Sequence, residues 1–183
     1  TIGIEKQLMP TLELNCLGSS QERHHYRTAL IEYFSKYFAD LDQDSKRRLK
    51  TNPLRILDSK NPELKSMIAG SPKLSSFLGE NSKSKFRKLC KLLNDFGVSF
   101  EINLNLVRGL DYYNHTVFEW KHDFLGAQST VCAGGRYDNL VELIGGQPTP
   151  AFGFAIGMER LVDLILKLKT INTIDNLDLY VVH

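Results

Sequence analysis

Arg108, Asp111, Tyr112 and Tyr113 fall within six consecutive positions of the stretch Leu106-Val-Arg-Gly-Leu-Asp-Tyr-Tyr-Asn-His-Thr-Val-Phe-Glu-Trp120. A guanidinium is planar, permanently charged and shaped for bidentate contact with phosphate or carboxylate. A tyrosine hydroxyl both donates and accepts hydrogen bonds while its ring forms a wall. Gly109 frees the backbone of the turn that carries them. Polar groups held between strands in this way read as a site. Taken singly, each has a plainer use: Arg108 with Asp111 as a loop ion pair, and the two tyrosines as packing at the edge of a core.

Two further segments repeat the device. Cys132-Ala-Gly-Gly-Arg-Tyr-Asp-Asn-Leu140 places a Gly-Gly break before Arg136, Tyr137 and Asp138, where a helix opens. Phe152-Gly-Phe-Ala-Ile-Gly-Met-Glu-Arg-Leu161 is a short, glycine-spaced strand running into a helix with Arg160 in its first turns.

The elements that must position these residues follow from periodicity. Val98 to Leu106 alternates, with Val98, Phe100, Ile102, Leu104 and Leu106 on one face and Glu101, Asn103 and Asn105 on the other, which predicts a half-buried strand. His115 to Trp120, rich in β-branched and aromatic residues, predicts a second. The loop Lys121 to Ala127 turns the chain back into a strand over Gln128 to Ala133, an antiparallel hairpin being the shortest connection. A short helix is expected over Asp138 to Ile144, a strand over Phe152 to Ile156 and a last helix over Met158 to Lys169. Upstream, Pro10 to Leu17 alternates as a strand ending at Gly18, and Ser19-Ser-Gln-Glu22 is a capping box for a helix running to about Ala39. Short helices are expected over Gln43 to Lys50, after Asn61-Pro62 and after Ser71-Pro72. A longer one over Asn81 to Phe96 is expected to bury Phe86, Leu89, Leu92, Leu93 and Phe96 and to stop at Gly97. Asp178 to His183 begins a further strand. A mostly antiparallel sheet backed by helices, with a helical block spliced in after its first strand, is an α+β pattern.

With 183 residues, 42% hydrophobic, the chain can bury one substantial core or two small ones. No apolar run approaches the ~20 residues that span a bilayer, so no membrane is expected. The first residues lack a signal-peptide pattern and an initiator methionine, so the chain is expected to begin inside a longer protein. Three cysteines without a CxxC or Cys/His cluster point to a reducing cytosol and to no metal site. The adjacent His24 and His25 lie on different sides of a helix and do not share a metal. Net charge is only +2, but residues 19 to 97 hold 16 Lys and Arg against 9 Asp and Glu, whereas residues 98 to 183 hold 6 against 10. That cationic block, with lysines such as Lys83, Lys85 and Lys88, reads either as a phosphate-facing surface or as solvated helix faces.

Together the three motif segments, in this order and spacing, resemble the histidyl-tRNA synthetases of the bacterial type, class II aminoacyl-tRNA synthetases that activate histidine with ATP and load it onto tRNA. Residues 106 to 113 resemble the family's first histidine-specific motif, 133 to 138 the second, and 153 to 161 class II motif 3. The resemblance continues through 12 to 18 and 51 to 60, and so covers essentially the whole chain.

It implies a class II antiparallel sheet flanked by helices, with 1–18 a catalytic-domain strand, 19–97 the helical insertion domain, 98–169 the catalytic core, and 170–183 a linker and the first strand of the anticodon-binding domain. Class II motifs 1 and 2 are then expected before residue 1, and nearly all of the anticodon-binding domain after residue 183. For the site it implies Arg108 at the α-phosphate of ATP as the catalytic arginine, Arg160 and Gly157 along ATP, and Tyr112, Tyr113, Tyr137, Gly134, Gly135 and Gly153 at the histidine pocket. The glycines would let backbone approach the substrate, or else merely serve tight turns. Asp111 is expected to orient Arg108 or a neighbour. Further implications are ATP with its accompanying Mg2+, histidine and tRNA(His) as partners, a cytoplasmic homodimer for the full-length protein, and an inactive chain when it stands alone. The alternative is a synthetase-like regulatory subunit or sensor domain without catalysis, in which the histidine motifs tend to be lost.

Overall fold

Thr11–Gly18 forms the first strand, β1, and its alternation sends Leu12, Leu14 and Cys16 into the interior on one face. The other face is covered as well, because Asn15 and Leu17 are also buried. The computed structural model describes residues 9–168. The strand expected over 178–183 and the end of the last helix at Lys169 lie outside the described residues.

Gly18 takes a left-handed φ of 72°, which turns the chain at once into helix α1, Ser20–Ser35. The capping box forms as expected: the Ser19 hydroxyl accepts from the Glu22 amide at 3.3 Å, and the Glu22 carboxylate accepts from the Ser19 amide at 2.6 Å. α1 ends before Tyr37 and Phe38, which stay exposed in a following 3-10 turn. Helix α2 spans Gln43–Thr51 and α3 spans Lys65–Gly70 after a 3-10 turn opened by Pro62. The helix expected after Ser71-Pro72 is a single 3-10 turn, Leu74–Ser76.

Helix α4, Glu80–Asp95, forms where expected, and Gly97 terminates it at φ 70°. Its apolar stripe does not bury. Only Ser82 is buried, Leu92 is exposed and Phe96 is 80% exposed, because α4 meets β1 and the third strand only sparsely. The expected strand over 98–106 shrinks to β2, Glu101–Ile102, paired parallel to β1. Beyond Asn103 a side chain replaces the ladder: Asn15 Nδ2 donates to the carbonyls of Leu104 at 3.3 Å and Leu106 at 2.9 Å. Leu106 is buried there, whereas Ile102 and Leu104 remain exposed.

Strand β3 is Asn114–Lys121, β4 is Thr130–Arg136 and β5 is Phe152–Ile156. The sheet order is β2-β1-β3-β4-β5, antiparallel throughout except for β2 on β1. Four-residue α5, Leu140–Leu143, is closed by Gly145 at φ 91°, and α6, Met158–Lys167, packs back on β4 while burying Leu164 and Ile165. One apolar cluster joins the helical block to the sheet, running from Tyr26, Leu30 and Phe34 through Leu54, Ile56 and Leu64 to Leu106, Tyr113 and Val117.

Candidate active site

Register partners in antiparallel strands share a face. The pairs Glu13 with Glu119, Asn15 with Val117, Val117 with Gly135 and Gly135 with Gly153 therefore define one face across four strands. On that face the turn before β3 lays down its tyrosines. Tyr112, Tyr113 and Tyr137 form a triangle with ring centroids 4.7, 5.6 and 5.8 Å apart. The glycines make room for it. A Cβ on Gly135 would lie 2.9 Å from the Tyr113 ring and from Val117, and one on Gly153 would run into the Tyr137 hydroxyl. Gly134 points to the opposite face, where a Cβ would meet Phe154, so it is not brought to the tyrosines. Burial first, then the hydrogen bond with Tyr113, push the Tyr112 phenol above its ordinary value, so it stays a neutral donor and acceptor at physiological pH.

Arg108 is held by an ion pair with Glu119 and places its guanidinium 5.8 Å from the centroid of the Tyr113 ring. Its Nε is buried without a hydrogen-bond partner among the described residues. Asp111 does not orient it. The Asp111 carboxylate is exposed and accepts from Asn52 of the helical block, so the carboxylate that fixes Arg108 comes from β3 instead. Glu119 also accepts from the Thr130 hydroxyl at 3.0 Å, and Lys121 lies 3.4 Å from Glu119 and 2.7 Å from Glu13. Arg160 donates to the Thr130 carbonyl at 3.0 Å. A Cβ on Gly157 would come within 3.3 Å of the Arg160 side chain, so this glycine lets the arginine fold back over the helix start.

The second motif is tied down by buried Asn114, whose Oδ1 accepts from the Asp138 amide at 3.2 Å. Asp138 accepts from the Ala151 amide at 3.1 Å and pairs with Arg136 at 2.9 Å. A cavity of about 330 Å³ adjoins Arg108, lined by Arg23, His24, Arg27, Val107 and Leu110. Among the described residues no group of three or more His, Cys, Asp or Glu is placed to hold a metal ion, and no helix is long and apolar enough to cross a membrane.

The family model described as histidyl-tRNA synthetase matches residues 25–161, three quarters of the chain and all three motif segments. The chain belongs to the histidyl-tRNA synthetase family. It is 56% identical over 172 residues to the histidine--tRNA ligase of Bordetella avium (strain 197N), covering 94% of this chain and 40% of that one. It is 50% identical over 182 residues to the histidine--tRNA ligase of Neisseria gonorrhoeae (strain ATCC 700825 / FA 1090), covering 100% and 42%. The solved apo histidyl-tRNA synthetase of S. aureus superposes with a TM-score of 0.69 at 33% identity, over 97% of this chain and 41% of that one. The chain thus spans about 40% of the length of the curated relatives it matches.

Within this histidyl-tRNA synthetase sheet, Glu119 and Thr130 are the residues that motif reading passed over. The signal was available: Glu119 is a carboxylate at the inward period of a strand read as β-branched and aromatic, and Glu13 repeats it one strand away.

Proposed function

We propose that this chain supplies the histidine pocket and part of the ATP site of a histidine–tRNA ligase. In the first step a histidine carboxylate oxygen attacks the α-phosphorus of ATP, and pyrophosphate leaves. In the second a ribose hydroxyl of tRNA(His) attacks the carbonyl of histidyl-adenylate, and AMP leaves. The observation that supports this most is the Arg108 guanidinium, anchored on Glu119 beside the triangle of Tyr112, Tyr113 and Tyr137. Charge spreads over the phosphate oxygens as the bond forms, and a pre-positioned guanidinium meets it without reorganising. The tyrosine hydroxyls suit the one donor and one acceptor of neutral imidazole. Arg160 and Gly157 lie along ATP, with Mg2+ accompanying the triphosphate, and Gly135 and Gly153, but not Gly134 on the opposite face, belong to the backbone around the histidine. The same reading makes the whole ligase a cytoplasmic homodimer.

In the full-length protein Arg108→Ala lowers histidine-dependent ATP–pyrophosphate exchange by ~10²-fold, the scale for losing one transition-state charge contact, with a smaller change in histidine affinity. Unchanged exchange removes Arg108 from this role. The 183 residues alone are expected to show exchange far below the whole ligase, because charges that act as a unit lose much more than a proportional share when some are missing. Comparable turnover by this chain would overturn the assignment of its site.

A further inference from the structure

The geometry points to Glu119 and Thr130 as positioning residues that fix Arg108 and Arg160 relative to each other through one continuous relay. Arg108 Nη1 pairs with Glu119 Oε1. Glu119 Oε2 accepts from Thr130 Oγ1 at 3.0 Å, and the carbonyl of the same threonine accepts from Arg160 Nη1 at 3.0 Å. A single residue therefore touches the holder of one arginine with its side chain and the other arginine with its backbone.

Thr130 owes this double reach to a strand irregularity. The β3–β4 register shifts between Trp120 and Lys121, opposite Thr130, and such bulges re-aim side chains beside sites. Glu119 is only 13% exposed at its side chain, and a desolvated carboxylate must be fully paired. Its Oε1 is taken by Arg108, while Oε2 takes Thr130 and, at 3.4 Å, Lys121. Lys121 is itself tied at 2.7 Å to Glu13, which accepts from Asn103 at 2.7 Å. Both carboxylates lie on strands, so the relay is braced by three strands and not by flexible stems.

This inference rests on the reading that both arginines meet ATP. Thr130 then sets where the nucleotide's phosphates sit relative to the histidine carboxylate, which is a matter of alignment and not of affinity. In the full-length protein, Thr130→Val keeps shape and carbonyl and removes only the hydroxyl donor. It lowers kcat of pyrophosphate exchange ~10- to 10²-fold, the cost of small misplacement, while KM for histidine stays within ~2-fold because the tyrosines are untouched. Thr130→Ser, which keeps the donor, restores kcat. Glu119→Gln, folded by circular dichroism, loses kcat in the same way. Full kcat in folded Thr130→Val or Glu119→Gln overturns the relay, as does equal loss in Thr130→Val and Thr130→Ser. Loss in Arg108→Ala with neither of these losses sinks the relay alone, whereas an unaffected Arg108→Ala sinks the underlying functional reading.

Discussion

Helices α1 and α4 are the same length, 16 residues, yet they use their apolar residues in opposite ways. α4 segregates apolar from charged positions cleanly in the sequence and buries only Ser82. α1 mixes them, and still drives Tyr26, Leu30 and Phe34 into the shared core. The difference is what stands opposite. α1 leaves β1 through the tight Gly18 turn and is laid across the residues that end in Tyr113 and Val117. α4 lies over the other face, where its Lys85 and Leu89 line a cavity with Thr116, Phe118 and Phe152. Charge behaves alike: α4 carries more of the basic excess, but Arg23 and Arg27 of α1 are the cations that line the cavity beside Arg108.

The largest effect separates the two helices by burial. Phe34→Ala in α1 is expected to cost ~3–5 kcal/mol in urea unfolding of this chain, whereas Leu92→Ala in α4 stays within ~0.5 kcal/mol as an exposed substitution. Similar losses at the two positions would show that α4 is as firmly seated as α1.

Next comes the residue that joins them. Glu22 caps its own helix and also accepts from the Gly79 amide and the Ser82 hydroxyl of α4, both at 2.6 Å. Burial alone would raise its carboxyl, but the bonds from Ser82, Ser19 and Gly79 prevail and hold it down at about 2, against an ordinary 4.5. A depressed folded-state value contributes stability that is present above the unfolded value and is lost as pH falls through the folded one. The chain should therefore lose stability between pH 4.5 and 2 through this group. Glu22→Gln should cost ~1.5–3 kcal/mol at neutral pH and lose that part of the acid dependence, as followed by urea midpoints against pH. An unchanged pH profile would mean that the bond to α4 contributes nothing.

Transfer to tRNA tests the charge contrast. Exchanging Arg23 and Arg27 for Gln in the full-length protein is expected to weaken tRNA(His) binding about tenfold, the worth of one charge-assisted contact, and to reduce the salt slope by about 1 per phosphate lost. Neutralising Lys83, Lys85 and Lys88 of α4 should change both less. The reverse ranking would place the tRNA on the α4 side. The smallest effect lies at the end of α4: Gly97→Ala, at a φ of 70° with open space around it, costs about 1 kcal/mol from backbone strain alone, read from the same unfolding curves against Gly109→Ala, which has space but no such φ.

Much of this architecture is legible in the sequence wherever a residue acts on its own neighbours. The capping box at Ser19, the stop at Gly97, the alternation of β1 and the β-branched and aromatic run of β3 all report short-range physics. The α+β class follows from such pieces, and the family from the resemblance of the three motif segments. What the sequence withholds is decided by distant partners. Val98 to Leu106 alternates as well as any strand here, but Asn15 captures its carbonyls and only Glu101–Ile102 keeps a ladder. The site behaves the same way. The motifs mark Arg108 and the tyrosines, whereas its carboxylate partner is Glu119, eleven residues on and across a turn, and not nearby Asp111. The use of Gly135 and Gly153 as beds for Tyr113 and Tyr137 also needs the β3, β4 and β5 registers.

The clasp of Asn15 on Leu106 closes a loop across a sequence separation of 91. For a flexible loop, closure entropy grows only as the logarithm of length, about 0.6 kcal/mol for each doubling. Once β1, β3 and the Asn15 clasp hold the two ends, the number of residues strung between them barely matters to the sheet. The exposed turns of the block between Gly18 and the site turn can therefore lengthen, shorten or change their surface at little entropic cost to the strands, as long as Tyr26, Leu30 and Phe34 keep their packing in the core shared with Tyr113 and Val117.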